Sequence, residues 1–249
     1  MRKLVWGLFL LLLSGCIWNY GAFAADARKP VILLDSGHNP PAGGATSLRG
    51  IPEVIYNDRF TAKLARALEK TGFHVELTRN HDQSIQLNER AALANSLKAD
   101  LFLSIHHDSA QEVRLDKISV NSTATYRTKT KIAGYSIFVS RENAQFDRSW
   151  LFAQYLGERL LKLGRPPTLH HAENIVGENR ELLDEKLGIY RFDELTVLRR
   201  TEVPAVLLEI GVIVDDEDET YVSNPKNQDL MVRSIVDAIK AALKRLEEP

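Results

Sequence analysis

The chain has 249 residues, is 44% apolar and carries 32 basic against 33 acidic side chains, a formal charge of −1. That balance fits one globular domain and excludes a basic surface built for nucleic acid or for an anionic membrane face. With Cys16 as the single cysteine, an internal disulfide and thiolate chemistry are excluded, so any metal site must be built from His, Asp and Glu.

The N-terminus reads as an export signal. Arg2 and Lys3 form a charged start, and Leu4 to Leu13 is an apolar stretch too short to span a bilayer. Two processing sites compete. Ala22-Phe23-Ala24 predicts cleavage after a signal peptide of residues 1–24. Leu13-Ser14-Gly15-Cys16 has the look of a bacterial lipobox, which would remove residues 1–15 and leave a lipid anchor on Cys16. The plainer alternative is that Cys16 is a small apolar residue within the signal. Either route exports the chain to the periplasm, in the second case as a membrane-anchored lipoprotein. Residues 25–30 read as a short linker and 31–249 as one domain.

Within that domain strands and helices alternate. Val31–Asp35, His74–Thr78, Leu101–His106, Tyr135–Ser140 and Ala205–Ile210 are predicted strands; Pro52–Thr71, Leu87–Leu97, Asn143–Leu163 and Gln228–Leu246 are predicted helices. The alternation predicts a single α/β domain, its mixed, mostly parallel sheet flanked by helices on both faces. Pro52 suits a first helical position and Gly72 a helix end. Phe60, Leu64, Ala67 and Leu68 form an apolar stripe at helical spacing, and Glu53, seven residues before Phe60, falls on that same inward face. Gln111–Ala133 is polar and longer than a tight turn needs. It is either a plain surface loop or a flap beside a site, with Tyr126 and Arg127 placed to touch a substrate.

Three strands end in residues that handle metals or protons: Asp35-Ser36-Gly37-His38 after the first, His106-His107-Asp108 at the third, Glu209 in the last. Parallel sheets carry their sites at this carboxyl edge. His38, Glu53 and His106 would form a set of two imidazoles and a carboxylate that leaves one position on Zn²⁺ open. Glu209, outside that set, would serve as the proton carrier. The spacing is not compact, so convergence depends on the fold. Strand alternation puts Phe102, Ser104 and His106 on one face and His107 on the other, without saying which face meets the metal. The remaining polar features read more plainly. His74 and His81 are surface residues. His170 and His171 are loop polars or line a substrate groove. Arg199 and Arg200 make surface ion pairs or touch substrate carboxylates. Asp215–Glu219 is a solvated helix start, with a calcium-like site as the weaker alternative.

Together these motifs resemble the type-3 family of zinc-dependent N-acetylmuramoyl-L-alanine amidases, bacterial cell-wall enzymes, from about Val31 to Leu246. The resemblance rests on Leu34-Asp35-Ser36-Gly37-His38, on Glu53 with Asn57, on Leu87 to Asn95 with Arg90, on Leu103-Ser104-Ile105-His106 and on Pro204 to Gly211. It implies that His38, Glu53 and His106 bind one zinc ion and that Glu209 is the catalytic base. It also implies hydrolysis of the bond between N-acetylmuramic acid and L-alanine in peptidoglycan or muropeptides. A monomer, with or without a regulatory protein partner, is expected. A zinc hydrolase cutting within the stem peptide and a non-catalytic wall-binding module are the alternatives. Asn39 and Pro40 stand where the family often has two glycines, His107-Asp108 where it usually has Ala-Asn, and the 111–133 connection exceeds the family's shorter versions.

Overall fold

The computed structural model describes residues 28–247; the signal sequence, Cys16 and the start of the linker lie outside the described residues. Seven strands form the main sheet: β1 (Val31–Ser36), β2 (His74–Leu77), β3 (Leu101–Asp108), β6 (Ser136–Val139), β7 (Leu182–Asp184), β8 (Ile189–Arg191) and β9 (Ala205–Val212). Their order is β2-β1-β3-β9-β6-β8-β7. From β2 to β9 all pairings are parallel; β6 runs antiparallel to β9, and β7 to β8, which makes the sheet mixed. The central strands β1, β3 and β9 are near-continuous apolar runs because helices cover them on both sides.

One face packs against α1 (Glu53–Lys70), α3 (Phe146–Lys162) and α6 (Pro225–Glu247): Leu34, Leu103, Ile105 and Leu208 meet Phe60, Leu64, Phe152 and Ile235 there. The other face carries α2 (Leu87–Leu97) and the short α4 (Thr196–Arg199), with Leu33, Phe102 and Leu207 against Ala94 and Leu198. The α1 stripe is legible in energy as well as pattern. Phe60, Leu64 and Leu68 are at most 1% exposed, and each such burial stabilises by about 2 kcal/mol. Helix α1 starts at Glu53 with Pro52 as its extended N-cap residue, one position later than expected. Among the described residues no helix is long and apolar enough to cross a membrane.

Two expectations need correction. Gln111–Ala133 is not a plain surface loop. It holds a hairpin, β4 (Leu115–Val120) and β5 (Thr123–Thr128), closed by Asn121-Ser122, both at positive φ (49° and 66°) as a two-residue I′ turn requires. Thr125 docks it by donating its hydroxyl to the Thr46 and Ser47 carbonyls, each at 2.8 Å, and Ile132 is buried beside Val212 and Val214. The acidic run is also not simply solvated. Asp215 caps α5 (Asp216–Ser223), whereas Asp218 and Glu219 are 1% and 2% exposed. Asp218 accepts from buried Arg165 and from the Val212 and Gly134 amides, and Glu219 accepts from the Tyr56 hydroxyl at 2.6 Å. These partners explain the burial: charged groups enter a core only when paired.

Candidate metal centre

Strand β1 ends at Ser36 and delivers His38 two residues later. The close approach needs Gly37, because a Cβ there would overlap the His106 ring, and Gly44 in the loop that follows, at φ 75°, where a Cβ would overlap Glu53 and His38. His38 itself has φ 64°, an uncommon conformation for a residue with a Cβ. It is held there from below. Its carbonyl accepts from Arg90 at 2.5 Å and from Arg79 at 3.1 Å. Arg90, 1% exposed, also donates to Asp35 (2.6 Å), to the Ser36 carbonyl (2.7 Å) and to Asn39 Oδ1 (2.9 Å). Asn39 in turn bonds both the amide and the carbonyl of Ile85. The residue that departs from the family's glycine is thus a second brace on the loop.

Helix α1 points Glu53 into the same place. Its Oε2 lies 2.9 Å from His38 Nε2 and its Oε1 3.1 Å from His106 Nδ1. The His38 and His106 rings meet edge to face at 4.9 Å. The carboxylate is oriented by Asn57 (3.0 Å) and by the amides of His107 and Ala45 (3.2 Å each). The structure therefore brings His38, Glu53 and His106 together, with one donor atom from each within 4.8 Å of the others. His107 faces the other way: it is buried under Tyr56 and Phe60, with its Nδ1 2.8 Å from Asn57 Oδ1. Two nitrogens and a carboxylate around a cradle that two absent Cβ atoms keep clear fit a divalent ion.

Glu209 sits directly opposite His106 in the β3–β9 pairing, on the same sheet face. Both line a cleft of about 310 Å³ with His38, Asp108, His171 and Arg180. Glu209 Oε2 is buried and accepts no hydrogen bond. Burial, then repulsion from Asp108 and Glu53, raises the Glu209 carboxyl well above its usual range. Burial works the same way on Glu53, but bonds from His106 and His38 outweigh it and hold that carboxyl well below. The two carboxyls are thus pushed in opposite directions. Burial also lowers His107 to about 3, so it stays neutral.

The other polar candidates fall elsewhere. His74 is exposed and pairs with Glu76, His81 is exposed, and Arg199 lies 3.9 Å from Glu142 at the surface. Tyr126 is exposed and Arg127 pairs with Asp216; neither lines the cleft. His170 and His171 are buried, and His171 does line it. Arg79, Glu178 and Arg180 carry no signal in the sequence that marks them as part of the site. Arg79 and Arg90 interrupt otherwise ordinary segments, and only the buried carbonyls they meet give them meaning.

Residues 32–241 match the N-acetylmuramoyl-L-alanine amidase family. The chain is 28% identical over 217 residues to the probable cell wall amidase LytH of Staphylococcus epidermidis, covering 86% of this chain and 58% of that protein. It is 27% identical over 229 residues to N-acetylmuramoyl-L-alanine amidase AmiC of Neisseria meningitidis, covering 86% and 53%. It thus spans little more than half the length of these relatives. In fold it is similar to the crystal structure of N-acetylmuramoyl-L-alanine amidase from Clostridium difficile 630, with TM-score 0.68, 22% identity, and coverage of 89% and 99%. A match over most of the chain, around the sheet edge where His38, Glu53, His106 and Glu209 meet, places the chain in the N-acetylmuramoyl-L-alanine amidase family.

Proposed function

We propose that the chain hydrolyses the amide joining the lactyl group of N-acetylmuramic acid to the L-alanine of the stem peptide, with one zinc ion held by His38, Glu53 and His106. The observation that carries this reading is Glu209: a carboxyl in register with His106, facing the same cleft, with one oxygen that no group among the described residues engages. Zinc in such a site supplies a water of lowered pKa and polarises the carbonyl.

The chain's own groups do the rest. Glu209 takes a proton from the attacking water as its oxygen bonds to the lactyl carbonyl carbon. It then returns that proton to the alanine nitrogen as the C–N bond breaks, leaving a lactyl carboxylate and a free amine. A carboxyl raised by burial suits the second half of this cycle, and the field of a bound dication favours the ionised form needed for the first. Glu53 stays ionised throughout, fixed by Asn57 and two backbone amides.

The substrate lies outside the cytoplasm, in keeping with the export signal. A lipid on Cys16 or a protein partner would bring a monomeric enzyme to the wall. Mass spectrometry of purified sacculi after digestion tests the reading. Intact stem peptides with a free N-terminal L-alanine are expected; fragments cut inside the stem peptide would instead identify a peptidase.

A further inference from the structure

Across the cleft from the first site, three side chains converge that none of the chemistry above uses. Asp108 ends β3, and His170 and His171 form a single 3₁₀ turn in the connection between α3 and β7. We propose that Asp108, His170 and His171 bind a second divalent metal ion, of the imidazole-preferring class typified by Zn²⁺.

The geometry argues for ligands rather than a simple polar cluster. Asp108 Oδ1 is occupied by the Ser109 amide at 2.8 Å, so Oδ2 alone faces the rings. That oxygen lies 2.8 Å from His171 Nε2 and 3.4 Å from His170 Nε2. Donors on a tetrahedral zinc ion, with bonds near 2.05 Å, stand about 3.4 Å apart, so the His170 edge already has the required length and the His171 edge must open by about 0.6 Å. The three donor atoms all lie within 4.8 Å of one another.

The outer nitrogen of each ring is already fixed. His171 Nδ1 lies 2.9 Å from Glu178 Oε2, and His170 Nδ1 lies 2.7 Å from Thr168 Oγ1. Ligand imidazoles characteristically have one nitrogen oriented by a carboxylate or other oxygen while the other meets the metal. Arg180 pairs with Glu178 and holds it in place. The His170 side chain is 5% exposed, yet its Nε2 has no hydrogen-bond partner among the described residues. A buried, unpartnered nitrogen aimed at a carboxylate is costly unless something lies between them. Two imidazoles favour Zn²⁺ over Mg²⁺ or Ca²⁺, which prefer all-oxygen sites. Asp108 and His171 also line the cleft.

Metal counting tests this without any activity assay. The metal-free full chain is equilibrated with Zn²⁺, freed of excess ion, and its zinc per chain measured by elemental analysis. Two ions are expected for the wild type, one for His38→Ala, and one for each of His170→Gln and His171→Gln. One ion in the wild type and none in His38→Ala would overturn the proposal, and neither protein is altered at the cluster. An undiminished count in His170→Gln that melts like the wild type would also overturn it.

Discussion

Replacing Arg90 by Met tests whether the metal site depends on the brace beneath it. Met keeps the bulk and removes the guanidinium, which is 1% exposed and bonds Asp35, the carbonyls of Ser36 and His38, and Asn39. Asp35, itself 1% exposed, is left with only the Thr78 and Ser104 hydroxyls at 2.6 and 2.7 Å. Removing one partner of a buried ion pair costs about 3–5 kcal/mol. At roughly 2–4 °C per kcal/mol for a domain of this size, the midpoint should fall by about 6–20 °C. Of the two arginines bonded to the His38 carbonyl only Arg79 then remains to hold a positive φ worth about 1–3 kcal/mol of strain, so zinc affinity should fall as well. Thermal unfolding of the metal-free protein and zinc titration against a chelating dye read the two effects separately. Adding Asp35→Asn should recover part of the stability but none of the affinity. A single variant that melts and binds zinc like the wild type would show that the metal site does not depend on Arg90.

Other expectations follow from the same geometry. Gly37→Ala puts a Cβ into the His106 ring; zinc affinity should drop roughly 10–100-fold, and an unchanged affinity would show that the ring has room to move. Thr125→Val leaves the Thr46 and Ser47 carbonyls without the donor that docks the hairpin, at a cost of about 1–3 kcal/mol, read as a lower denaturant midpoint. Deleting the hairpin should reduce lytic activity, because the 44–50 loop it supports carries the Ala45 amide that bonds Glu53; a gain in activity would show instead that the hairpin limits access to the site. His107 is held neutral, lowered by burial to about 3. The unfolded chain therefore binds more protons than the folded one between the ordinary imidazole pKa, about 6.5, and about 3, and stability is lost as pH falls through that window. In chelated protein, His107→Asn should flatten this acid loss, by on the order of a few kcal/mol; parallel curves would place the acid sensitivity elsewhere.

The sheet's centre was legible because β1, β3 and β9 are buried on both sides and so read as apolar runs. The α1 stripe and the inward Glu53 were legible because a helix repeats its inward face. Strands β7 and β8 have three residues each, too few to show a period. The β4–β5 hairpin escaped notice because its strands are mostly Ser, Thr and charged residues with a single fully buried side chain, Thr125, facing a loop rather than an apolar core. Its Asn121-Ser122 turn was the available signal. Asp218 and Glu219 looked solvated because their partners, Arg165 and Tyr56, lie 53 and 163 residues away in sequence. The separation of His106 from His107 needed the fold: alternation divides them, and only the position of α1 decides which ring meets Glu53 and which meets Asn57.

The most direct test of the central claim is turnover of a defined muropeptide by zinc-loaded Glu209→Gln, with metal content measured on the same sample. Gln keeps the shape and hydrogen-bonding reach of the side chain but cannot carry the proton. Bound zinc as in the wild type and no release of peptides beginning with L-alanine are expected. Release at a rate near the wild type, with zinc still bound, would contradict that role for Glu209.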